Sequence, residues 1–86
     1  MKLREMVYKF ELGKIRRDAE RMQKGDNFDP SKALKLIDRY HHLTNTIYDD
    51  PTLTEDDKTA WGTAFSQCYD SSFNRLSLRC LDTFTA

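Results

Sequence analysis

A chain of 86 residues, 38% hydrophobic and 33% charged, has the composition of one globular domain and lies near the lower limit at which an unstapled core closes. Its formal net charge of +0 and its lack of a long apolar run argue against a membrane span and against broad, non-specific nucleic-acid binding. The charge is nevertheless divided: residues 1–40 hold eleven Lys and Arg against seven Asp and Glu, and residues 41–86 hold three against seven. A local basic patch therefore stays in play.

Met1-Lys2-Leu3-Arg4 leads into charged sequence rather than the apolar stretch of a signal peptide, so a cytoplasmic location is expected. Residues 1 to 24 carry two patterns. As a helix, Tyr8, Leu12, Ile15, Ala19 and Met22 form one stripe, while Leu3, Met6, Val7 and Phe10 lie on a nearly opposite face. As a strand, Met6, Tyr8, Phe10 and Leu12 alternate with Val7, Lys9 and Glu11, and Gly13 marks the break. The helix is preferred, because a single strand has nothing in this chain to pair with. Either way, apolar surface near the N-terminus lacks an evident cover within the chain. Lys14, Arg17, Arg21 and Lys24 form a basic stripe opposite Ile15, Ala19 and Met22. Such a stripe can grip phosphates or an acidic protein surface, but it is more often a solvated face, and Asp18 and Glu20 beside it lower the local potential.

Gly25-Asp26-Asn27 reads as a helix stop. In Phe28-Asp29-Pro30 the aspartate is suited to cap the next helix, with proline at its first position. Leu36, Tyr40, Leu43 and Ile47 then give a wide apolar face over about residues 30–48. Asp49-Asp50-Pro51 ends that helix, and Thr54 with Asp57 has the spacing of a capping box. A third, longer helix over about 55–81 carries Trp61, Phe65, Cys68, Tyr69, Ser72, Phe73, Leu76 and Cys80 at steps of three and four. The short connection predicts that these two helices form an antiparallel hairpin with Tyr40 and Phe65 near its middle. Leu78 and Leu81 fall off the long helix's stripe. Gly62, beside Trp61, is expected to allow a close approach of another backbone, with a hinge as the functional alternative. Cys68 and Cys80 are roughly 18 Å apart along a continuous helix, too far for a disulfide, and are expected to be reduced core residues.

Chemistry is sparse. His42 and Asp38 have the helical spacing of two metal ligands, but a third is missing. Neither Cys68, Cys80 nor Ser71-Ser72 has a base placed by sequence to activate it, and Gly13, Gly25 and Gly62 are too dispersed for a phosphate loop. No catalytic or metal residues and no cofactor are therefore expected, and the aromatics at helical spacing are read as core.

The expected fold is all-α: a single domain over 1–86, in which the hairpin packs with an N-terminal helix as a small three-helix bundle. The expected function is non-catalytic: a protein–protein interaction module, in the class of small regulators, adaptors or inhibitors of larger complexes that includes those viruses encode against their hosts. Its contacts are expected at Leu3, Met6, Val7, Phe10, Leu78 and Leu81, with either a protein partner or a second copy in a homodimer, and with no membrane. The alternative is nucleic-acid binding through Lys14, Arg17, Arg21 and Lys24.

Overall fold

The computed structural model describes residues 3–24 and 28–85, with the last three described by backbone alone. The expected stop at Gly25-Asp26-Asn27 lies outside the described residues. Within them the chain forms α1 (Leu3–Lys24), α2 (Pro30–Tyr48), α3 (Glu55–Cys68), a π-helical turn (Tyr69–Phe73) and α4 (Asn74–Thr85). The strand alternative for residues 6–12 gives way to helix.

Local chemistry sets the ends. The Asp29 carboxylate accepts from the backbone N–H groups of Ser31 and Lys32 at 2.9 and 3.4 Å, and Pro30 enters the first turn, where no N–H is needed. At α3 the Asp57 N–H donates to Thr54 Oγ1 at 3.1 Å and the Thr54 N–H donates to the Asp57 carboxylate at 3.0 Å. This reciprocal pair satisfies two otherwise free donors. Glu55, Asp56 and Asp57 also place negative charge at the positive end of the helix dipole.

The helices alternate in direction. Arg4 and Tyr8 of α1 reach Asp50 just beyond α2, Tyr8 meets Trp61 near the start of α3, and Gln23 at the other end of α1 meets Ser72 and Arg79. α1 and the α3–α4 rod thus run parallel, with α2 antiparallel to both, giving a three-helix bundle 43 × 20 × 18 Å across its principal axes.

The π-turn explains how so long a helix keeps one face inward. At about 100° per residue, an unbroken α-helix would carry Cys80 roughly 100° past Trp61. One extra residue in a turn removes that offset, and here the Asn74 N–H bonds the Tyr69 carbonyl five residues back. Two registers therefore meet at Ser72 and Phe73, adjacent and both buried. Ser72 continues the series Trp61, Phe65, Cys68, and Phe73 begins the series Leu76, Cys80. Tyr69, which its spacing places on the inward stripe, is exposed instead. The helix also continues past the expected end near 81, to Thr85.

Aromatic rings connect all three layers. Tyr8 meets Trp61 edge-on at 6.2 Å between centroids, Trp61 leans on Phe65 at 5.7 Å, Phe65 meets Tyr40 edge-on at 6.0 Å, and Tyr40 stacks on Phe73 at 4.5 Å. The Tyr40 hydroxyl donates to the Phe65 carbonyl at 3.0 Å, so the ring is buried without stranding its polar tip. A Cβ on Gly62 would stand 3.1 Å from the Tyr48 hydroxyl. The neighbour at Gly62 is therefore a side chain and not the backbone expected there.

Candidate functional site

Asp50 anchors the first turns of α1. Its carboxylate, almost wholly buried, accepts from the Tyr8 hydroxyl at 2.8 Å, Arg4 at 3.2 Å, the Thr52 hydroxyl at 2.7 Å and the Thr52 N–H at 2.9 Å. The two bonds from Thr52, with those from Tyr8 and the charge of Arg4, hold the carboxyl well below the usual carboxylate range despite its burial. Burial, then the bond to Asp50, push the Tyr8 phenol up. From the sequence alone Asp50 reads as a turn residue that ends α2. The readable signal was electrostatic: acidic residues at the C-terminal end of a helix oppose its dipole, so Asp49-Asp50 after α2 implied a compensating set of donors.

With Tyr8 fixed to Asp50, α1 turns Tyr8, Ile15 and Ala19 into the core. Leu3, Met6, Val7 and Phe10 face outward, 77%, 55%, 53% and 63% exposed. A single outward leucine is ordinary; four large apolar side chains on one end of one helix form a patch. Leu78 and Leu81 are also exposed, but they lie toward the opposite end of the bundle, where Arg79 reaches Gln23 and stacks 4.4 Å over the Phe28 ring. The two apolar groups therefore do not make one surface.

Lys14, Arg17, Arg21 and Lys24 are all exposed, and among the described residues none of them makes an ion pair. The neighbouring acids are turned elsewhere. Asp18 meets Arg39 of α2 at 3.7 Å, Glu11 meets the same guanidinium at 3.9 Å, and Glu20 meets Arg16 at 3.7 Å.

The remaining candidates are dispersed or occupied. His41 and His42 line an open groove of about 570 Å³ with Glu11, Asp38 and Arg39, and among the described residues no three His, Cys, Asp or Glu side chains are grouped to hold a metal ion. Cys68 and Cys80 are buried free thiols, and burial pushes both up, away from the reactive thiolate. The Ser71 hydroxyl is 3.4 Å from the Ser72 hydroxyl and from the Cys68 carbonyl that it donates to. A more apolar groove of about 440 Å³ separates α1 from α3, lined by Leu12, Gly13, Ala60, Trp61 and Ala64 among others.

No protein-family model matches this chain, and neither a curated protein nor a solved structure is significantly similar to it. Among the described residues no helix is long and apolar enough to cross a membrane. The fold defines the class, a small three-helix bundle.

Proposed function

We propose that the protein is a non-catalytic interaction module, a small regulator, adaptor or inhibitor of a larger complex, which binds a protein partner through the outward face of α1. One observation carries this reading: Leu3, Met6, Val7 and Phe10 stay exposed on a bundle whose core is already closed by Tyr8, Ile15 and Ala19 from the same helix. Burying such a patch removes apolar area from water at roughly 25 cal/mol per Å², which favours association over leaving it solvated. A cytoplasmic site of action belongs to the same reading, and a second copy of the chain is the alternative occupant of the face. Leu78 and Leu81, at the far end, would serve as a separate contact.

The test compares wild type with Val7→Asp and Phe10→Asp. Both variants should retain the helical circular dichroism and melting temperature of the wild type, since neither side chain supports the core, and both should lose association, whether measured by light scattering for self-assembly or by retention of a partner.

A second reading has its own observation. Among the described residues the cations at 14, 17, 21 and 24 make no ion pair, while the acids beside them are engaged by Arg39 and Arg16, which leaves the stripe's potential less cancelled than the sequence implies. Binding of duplex DNA that weakens steeply with salt and is lost in Arg17→Glu/Arg21→Glu would support nucleic-acid recognition. Salt-insensitive or absent retention would remove it.

A further inference from the structure

The apolar patch and the basic stripe lie on one face of one helix. Leu3, Val7 and Phe10 are followed at the same alternation of four and three residues by Lys14, Arg17, Arg21 and Lys24, with Met6 at the margin. This is an uninterrupted heptad seam, roughly 32 Å long on an α-helix. The acids of α1, Glu5, Glu11, Asp18 and Glu20, all fall outside it. The seam is opposite the stripe that Tyr8, Ile15 and Ala19 bury, so the bundle itself leaves it uncovered. A patch for a flat surface has no need of this spacing. A second helix does: side chains repeating at about 3.5 residues stay in line with a partner that wraps left-handed at a crossing angle near 20°.

The order of chemistry along the seam selects the occupant. A second copy lying parallel would set Lys14 to Lys24 against the same cations, and a fully overlapped antiparallel copy would set those cations against Leu3, Val7 and Phe10. Neither pairs the seam. A helix with one acidic half and one apolar half does. Antiparallel docking puts the acidic half at the partner's own N-terminal end, where its dipole favours negative charge, and opposite the C-terminal cations of α1, where the dipole favours positive charge. Resting on the protein-binding reading above, we infer that α1 docks an antiparallel amphipathic helix of another protein, acidic along its N-terminal half and apolar along its C-terminal half.

The full-length protein is titrated with a synthetic helix of about seven turns whose seam carries glutamates in its N-terminal half and leucines in its C-terminal half, and with the same peptide with those halves exchanged. Light scattering and a duplex DNA titration run alongside. The acidic-first peptide should bind at least tenfold more tightly than the exchanged one. Arg17→Glu/Arg21→Glu should cost at least tenfold, and a peptide with lysines in place of the glutamates should restore the loss. Equal binding of both peptides, no binding of either, self-association that Val7→Asp abolishes, or DNA binding without peptide binding would each overturn the inference. Loss in Phe10→Asp with no change in Arg17→Glu/Arg21→Glu would remove the charged half of the seam and leave the protein-binding reading standing. No change in either variant would remove both.

Discussion

The Tyr8 hydroxyl donates to the buried Asp50 carboxylate at 2.8 Å, across 42 residues of sequence. That bond, with Arg4 on the same carboxylate, ties the first turns of α1 to the end of α2 with Tyr8 inward and Val7 and Phe10 outward. Removing the acceptor strands the buried Tyr8 hydroxyl and removes the ion pair with the more exposed Arg4, and a buried unpaired donor is among the costlier defects a small fold can carry. Asp50→Ala should lower the melting temperature by roughly 10 °C, and Tyr8→Phe, which removes one donor and keeps the ring on Trp61, by clearly less. A differential scan of the two variants checks the order; equal, negligible shifts would show that the contact does not hold α1.

The titrations work in opposite directions at the two ends of the pH scale. Asp50 is held below its unfolded value, so the folded state binds fewer protons there than the unfolded one as pH falls through about 4. The stability this contributes is present above that pH and is lost on acidification. Tyr40, by burial first, is pushed up to about 12, and the Cys68 and Cys80 thiols are raised by burial. Their contribution is present at neutral pH and lost as pH rises through about 9 and on toward 12. Urea midpoints measured across this range should fall at both ends, and Tyr40→Phe should soften the alkaline fall.

Phe65 stands between Trp61, Tyr48 and Tyr40. Phe65→Ala should cost about 3 to 5 kcal/mol, a large part of the stability of a domain this small. Urea denaturation measures it, and a variant as stable as wild type would contradict the hairpin packing.

Gly13 and Gly62 offer a paired contrast. A Cβ at Gly13 meets nothing within 4 Å, whereas at Gly62 it comes to 3.1 Å from the Tyr48 hydroxyl. Gly13→Ala should therefore gain up to about 1 kcal/mol of helix propensity. Gly62→Ala should gain less, because Tyr48 must shift. Thermal melts of the two variants, run together, decide this.

Much of the architecture was legible in the sequence because it rests on local rules. The cap at Asp29, the box at Thr54 and Asp57, and the stripe through Tyr8, Ile15 and Ala19 need only neighbours three or four residues away. Tyr69 shows where such rules stop. Whether the long helix inserts a π-turn depends on α1 and α2 both demanding its inward face along the whole length, and the Ser72 carbonyl that results is met by Gln23 from another helix at 2.6 Å. Asp50 was missed for a related reason: its donors at Arg4 and Tyr8 are brought to it only by the fold. The outward positions Leu3, Met6, Val7 and Phe10 were readable because one helix cannot bury two opposite sides in a three-helix bundle. Their separation from Leu78 and Leu81 required the helix directions.

Protein binding by the outward face of α1 is measured most directly by immobilising wild type, Val7→Asp and Phe10→Asp and quantifying proteins retained from an extract of the source organism, beside light scattering of each. The expected result is a specific retained protein, reduced at least tenfold in both variants while their melting temperatures match the wild type; a wild-type dimer lost in both variants would keep the binding face and replace the acidic helix as its occupant. Identical retention by all three, or a wild type that stays monomeric at high concentration and retains nothing, would contradict binding by this face.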